Sequence, residues 1–152
     1  MRDKICSFCG HRDVFEPCVE ERAKKEIEKL INRGFTVFYS GGMGDFDMIC
    51  ETVIRGFRRK NDKIKLCLIL PYMKSEINKD REYYEALYDE IIIPDLGSVH
   101  HKRAITERNR WIAENSDMIL AYVFRETGGA WTMLKYAEKS GAEYINLCKM
   151  EG

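Results

Sequence analysis

The run "FTVFYSGGMGDFDMICETVI", residues 35–54, constrains the fold of this chain more than any other stretch. Six β-branched, aromatic or small residues read as a strand. A glycine-rich turn follows directly. Then Phe46, Ile49, Cys50, Val53, Ile54 and Phe57 recur at helical spacing, so residues 45–59 read as an amphipathic helix. A strand that feeds straight into a helix through glycines belongs to a βα unit.

The same alternation runs through the rest of the chain. "KICSFC" reads as a strand ending in the turn "GHR". Residues 18–33 carry Val19, Ala23, Ile27, Leu30 and Ile31 at helical spacing, and Gly34 ends that helix. "KIKLCLIL" is a continuous apolar strand closed by Pro71. "REYYEALYDE" reads as a helix, "IIIP" as a short strand, 101–115 as a helix, "DMILAYVF" as a strand, 129–140 as a helix and "EYINLC" as the last strand. The charged stretch 73–82 reads as a mobile surface loop. Several strands are apolar on both faces, as strands are when helices cover both sides of a parallel sheet. The fold class is therefore α/β: a three-layer, doubly wound, mainly parallel sheet of Rossmann type. With 152 residues and neither linker nor repeat, the chain reads as one domain over 1–152.

Composition matters mainly for what it excludes. Formal net charge is zero, so no global field draws the protein to nucleic acid or to an anionic membrane. No apolar run approaches a membrane span, and "MRDKICSFCGHR" lacks the pattern of a signal peptide. Cys6, Cys9, Cys18, Cys50, Cys67 and Cys148 fall mostly inside strand or helix patterns and read as reduced thiols of a cytoplasmic protein. Cys6, Cys9 and His11 are close in sequence, but a structural zinc site needs a second ligand pair at comparable spacing. No metal and no cofactor is expected.

Ligands of an open parallel sheet bind beyond the carboxyl ends of its strands. Three strand-end loops are unusual: "GHRD" (10–13), "SGGMGD" (40–45) and "RETGG" (125–129). In Ser40–Asp45, the residues Ser40, Gly41, Gly42, Met43 and Gly44 allow backbone N–H groups to approach an anion at a helix N-terminus. The alternative is a tight turn with Asp45 as N-cap. Asp45 and Asp47 would compete with a phosphate for those N–H groups, so sugar hydroxyls are expected near them and the phosphate nearer the third loop. Thr127, Gly128 and Gly129 there offer a hydroxyl and backbone donors, or simply a helix start with Thr127 as N-cap. Gly10, His11 and Arg12 follow the first strand. His11 is a candidate general base, and Arg12 a candidate phosphate contact.

Arg108 is the sharpest single residue. It stands four residues after Ala104 and four before Ile112, within an apolar stripe, while Asn109 lies on another face. A core-facing guanidinium needs an anion or several acceptors. Asp117 is the structural partner expected first, and a ligand phosphate or carboxylate is the alternative. Glu51 lies one helical turn after Asp47 and reads either as half of a carboxylate pair or as a solvated edge. His100 and His101 read as solvated.

Together "GHR", "SGGMGDFDMICETV", "RNRWIAENSDMILAYV" and "TGGAWTMLKYA" resemble the SLOG superfamily. This is the Rossmann-like group that includes the LOG proteins and the DNA-processing protein A domain. The resemblance spans nearly the whole chain and is nearest to small stand-alone bacterial and phage-type members. It implies a nucleotide or nucleotide derivative as small-molecule partner, bound by Gly10–Arg12, Ser40–Asp45, Asp47, Arg108 and Thr127–Gly129. LOG enzymes hydrolyse the N-glycosidic bond of a nucleoside monophosphate, and on that analogy Asp47 and Arg108 are the catalytic candidates. The LOG signature PGGxGTxxE is replaced here by "ETGGAWTML", so a binding or sensing role ranks first and the hydrolase second. Single-stranded nucleic-acid binding ranks third. Relatives of this kind are often homodimers, and Phe57, Tyr83, Tyr84, Tyr88, Trp111 and Trp131 are available either to an interface or to the core.

Overall fold

The computed structural model describes residues 4–148. The strands are β1 (Lys4–Gly10), β2 (Phe35–Ser40), β3 (Lys65–Ile69), β4 (Glu90–Ile92), β5 (Met118–Tyr122) and β6 (Glu143–Asn146). The helices are α1 (Val19–Asn32), α2 (Asp45–Arg58), α3 (Ser75–Lys79), α4 (Arg81–Leu87), α5 (His101–Glu114) and α6 (Gly129–Ser140). The six strands form one sheet in the order β4-β3-β2-β1-β5-β6. Every adjacent pair is parallel, so the mainly parallel, doubly wound architecture read from the sequence is the one observed.

Alternating strand residues divide the core in two. On one side Cys6, Phe8, Phe38 and Leu66 pack with Val19, Ala23, Ile27 and Leu30 of α1 and with Phe46, Cys50, Val53 and Ile54 of α2. On the other side Cys9, Cys67, Ile119 and Ala121 pack with Ile112 and Ala113 of α5 and Met133, Leu134 and Ala137 of α6. Cys6 and Cys9 thus point to opposite faces of β1 and do not converge on a shared ion. All six thiols are free, and only Cys18 is exposed.

The segment 73–82 is not a mobile loop. It holds α3 and the start of α4, because Ile77 buries its side chain and Tyr84, Leu87 and Tyr88 pack beside it against the α2 face. Among the aromatics, Trp111 stacks on Tyr39 with ring centroids 5.9 Å apart. Tyr88 is buried, whereas Tyr83 is exposed. No described helix is long and apolar enough to cross a membrane.

The chain moves outward from β1 through β4 and then returns to the other side of β1 for β5 and β6. Strand order therefore reverses between β1 and β5. Loops leaving these two strands diverge to opposite faces and open a crevice at their carboxyl ends.

Candidate functional site

The crevice is a cavity of about 250 Å³. Of the residues singled out in the sequence, Gly10, His11, Arg12, Gly41, Met43, Asp47, Arg108, Gly128 and Gly129 line it. Ser40, Gly42, Gly44, Asp45 and Thr127 do not, and each has an identifiable place elsewhere.

The loop after β1 is set by close packing. A Cβ at Gly10 would lie 2.5 Å from the Phe46 side chain, so only glycine lets α2 settle on β1. His11 is buried. Its backbone N–H donates to Tyr122 O at 3.2 Å, its Nε2 accepts from the Arg125 N–H at 3.3 Å, and its ring meets the Phe124 ring edge-on. Burial and the nearby Arg125 charge lower the imidazole pKa, which keeps Nε2 an acceptor. His11 therefore ties the β1 and β5 loops together.

Asp45 is not the N-cap of α2. Gly44 takes that position with φ 88°, and Asp45 is the first helical residue. Its N–H donates to Arg12 O at 2.7 Å, and its Oδ2 accepts from Val14 N–H at 3.2 Å. The side chain thus latches the first loop onto the second, pointing away from the cavity. Ser40 is also internal: its hydroxyl donates to Glu51 Oε2 at 2.6 Å and accepts from Gly42 N–H at 3.1 Å. Glu51 is 1 % exposed, so it is no solvated edge. It also accepts from Tyr88 OH at 2.6 Å and Arg55 at 2.9 Å, which holds the glycine loop from behind. Gly42 faces a neighbouring cavity beside Leu68 and Tyr83.

Asp47 does reach the crevice. It is buried, and its Oδ2 accepts from Met43 N–H at 3.0 Å. Burial raises its carboxyl pKa to about 7, with the Glu51 charge adding to the rise; the Met43 N–H and the Arg108 charge oppose it. Asp47 therefore gains and loses its proton near neutral pH.

Arg108 is 2 % exposed. Its expected pairing with Asp117 does not form: Asp117 Oδ2 accepts from Ile5 N–H, at the opposite end of the sheet. Arg108 instead donates from Nη1 to Ile69 O at 2.8 Å and Gly41 O at 3.2 Å, and from Nε to Asn109 Oδ1 at 2.9 Å. Its Nη2 meets only the soft acceptor Met43 Sδ, at 3.1 Å. Neutral acceptors satisfy the geometry of the fork, but no carboxylate of the described residues is in ion-pair contact with it. Asp47 is close enough to act on the charge. A Cβ at Gly41 would lie 3.2 Å from the Arg108 Cζ, so glycine lets the guanidinium lie against the loop.

The third wall is the start of α6. Gly128 is its N-cap, with φ 92°, not Thr127, which is exposed. No side chain caps this helix and its first turn holds no acid. The N–H groups of the first turn therefore keep their partial positive charge at the cavity edge. Asn109 and Arg125 also line the cavity and were not singled out as site residues. Asn109 stands about 100° around the helix from Arg108, at the border of its stripe rather than on a separate face, and its side chain accepts from the Arg108 fork. Arg125 opens the "RETGG" loop, and that position was its signal.

No protein-family model and no curated protein matches the chain. Solved structures do. DNA processing protein A from Streptococcus pneumoniae superposes with a TM-score of 0.68 at 17% identity, over 93% of this chain and 49% of that one. DNA processing protein A from Helicobacter pylori gives 0.67 at 16% identity, over 98% and 67%. The Moco carrier protein of Chlamydomonas reinhardtii gives 0.57 at 16% identity, over 96% and 76%. The chain thus spans about half the length of the Streptococcus protein. These likenesses establish the fold, a doubly wound Rossmann-like parallel sheet shared with these proteins.

Proposed function

We propose that this protein binds a phosphorylated small molecule of the nucleotide class in the β1/β5 crevice. The observation that carries this reading is Arg108: a buried guanidinium with no carboxylate in contact among the described residues, beside a helix N-terminus that nothing caps. A buried charge is costly until an anion meets it. Arg108 Nη2 and the N–H groups at Gly129 and Ala130 offer that anion charge-assisted hydrogen bonds. Asp47, protonated below about pH 7, can donate to a ligand oxygen or, once ionised, accept from a ribose hydroxyl. Two neighbours are described by their names as a single-stranded DNA binder and a Moco carrier. Those names are compatible with ligand binding by a protein of this fold.

The test is a thermal-shift and calorimetric panel of nucleoside monophosphates, NAD and ADP-ribose. At least one should raise the melting temperature of the wild-type protein. Gly129→Asp, which places a carboxylate in the open first turn, should abolish the shift without unfolding the protein. A panel with no effect on the wild-type protein would rule the reading out.

One observation favours a second reading, hydrolysis of an N-glycosidic bond. A carboxyl titrating near 7 in a crevice suits general acid–base work. Ionised Asp47 would draw a proton from water as the water oxygen bonds to the sugar carbon. The base would leave with the electron pair of the broken C–N bond and take up a proton from solvent, and Asp47 would release its own proton to solvent. Chromatographic detection of free base, lost in Asp47→Asn, would support it. Ligand binding without base release would leave the binding role alone.

A further inference from the structure

The charges around the crevice specify more than a single phosphate. Arg22, Arg33, Arg55, Arg58, Arg81 and Arg110 are each in an ion pair. Five arginines have no such pairing among the described residues; Arg59 and Arg103 are exposed and lie outside this cavity, whereas Arg12, Arg108 and Arg125 all line it. The acidic sequence neighbours Asp13 and Glu126 lie outside its lining, where Asp47 is the one carboxyl.

The three guanidinium groups sit at two levels. Arg108 is at the floor, locked to Ile69 O and Gly41 O. Arg12 and Arg125 are exposed at the rim. They leave adjacent strands, since Gly10 pairs with Tyr122 in the register of β1 and β5. Arg12 stands two residues beyond Gly10, and Arg125 three beyond Tyr122. Arg125 lies over the Phe124 ring, 5.1 Å from its centroid, which restrains it beside the mouth. Their like charges, on loops that leave neighbouring strands, are both open to an anion at the mouth of the cavity. One phosphate seated against Arg108 and the α6 N-terminus leaves both rim charges unmatched. A second phosphate, linked to the first, meets them.

We propose that the ligand is a pyrophosphate-containing nucleotide, a nucleoside diphosphate or a compound with a bridging diphosphate, held with one phosphate at Arg108 and the other between Arg12 and Arg125. This rests on the reading of the crevice as a nucleotide site and adds the ligand's charge and length.

Calorimetry with base-matched pairs, each of the four common ribonucleoside monophosphates against its diphosphate, tests it directly, with ADP-ribose as the bridged probe. For at least one base the diphosphate, or ADP-ribose against AMP, should bind about tenfold or more tightly than the monophosphate, as expected for two added charge-assisted contacts. The double variant Arg12→Gln/Arg125→Gln, both exposed and therefore tolerated by the fold, should shrink that preference to about threefold or less. Equal affinities for the members of every pair, or a preference unchanged by the double variant, would overturn the diphosphate assignment while leaving the nucleotide site standing. Preferential binding of a thymidine oligonucleotide over every diphosphate would overturn it in favour of a nucleic-acid backbone. No binding of any probe would remove both the assignment and the site reading.

Discussion

The two glycine loops that enter α2 and α6 look alike in the sequence and behave oppositely in the structure. Each ends in a glycine N-cap with nearly the same backbone, φ 88° and ψ 175° at Gly44 and φ 92° and ψ 179° at Gly128. The α2 loop is closed by its own chain. Asp47 accepts from Met43 N–H, Asp45 latches Val14 and Arg12, and a Cβ at Gly44 would lie 2.8 Å from the Arg12 Cα. The α6 loop is open: no acid stands in its first turn, and nothing lies within 4 Å of a Cβ at Gly128 or Gly129. A glycine-rich helix entry is thus not in itself an anion site. It becomes a candidate when no side chain of the protein already satisfies its donors.

Swapping the same residue into both caps tests this contrast most severely. Gly44→Ala should cost about 3 kcal/mol or more, because backbone strain at a glycine-only conformation adds to a backbone clash. Gly128→Ala has the strain without the clash and should cost about 1–2 kcal/mol. Urea denaturation of the pair measures both, and equal losses would mean that the loops are packed alike.

The next effect is on pH. The Asp47 carboxyl is raised from 3.8 to about 7 in the folded protein, so the native state binds that proton more tightly than the unfolded chain. Its contribution is full below about pH 4, declines from there upward and is lost once pH has risen through about 7. Asn keeps the acceptor for Met43 N–H and cannot ionise. Asp47→Asn should therefore match the wild-type protein near pH 4 and exceed it at pH 8 by on the order of a few kcal/mol. A stability difference that does not change with pH would show that Asp47 titrates normally.

Smaller in stability, but opposite in sign to its effect on binding, is Gly129→Asp. A carboxylate in the open first turn should stabilise α6 by about 0.5 kcal/mol. The same charge should remove the affinity for an anion, as proposed above. A variant that is both stabilised and still binds would show that the α6 entry does not hold the ligand. The smallest effect is expected from Thr127→Ala. Thr127 is exposed and neither caps α6 nor lines the cavity, so stability should move by less than about 0.5 kcal/mol.

Local pattern made most of the architecture legible. Continuous apolar strands alternating with amphipathic helices admit few arrangements besides a covered parallel sheet, and that is the sheet observed. Helix α4 falls within the helical pattern of "REYYEALYDE", whereas α3 is not legible, because only Ile77 marks its buried side and its anchoring depends on distant partners. Among the residues that line the cavity, Gly10, Gly41, Gly128, Gly129, Asp47 and Arg108 are legible by type and spacing. The roles of Asp45, Ser40 and Glu51 are not, since each is decided by a partner on another segment: Val14, Glu51, and Ser40 with Tyr88.

The sequence alone determined that this chain folds as a doubly wound α/β sheet and that its notable loops gather at the carboxyl ends of the strands. Hydrophobic period and glycine placement are local properties, and they suffice for that. Only the tertiary structure decided which glycine loop is occupied by its own aspartates and which is left open. It alone showed that Arg108 rests on carbonyls rather than on Asp117, and that Arg12 and Arg125 share its cavity. Those outcomes depend on which groups meet across the sheet, and a charge or a donor acquires its function from the partner it finds or lacks there.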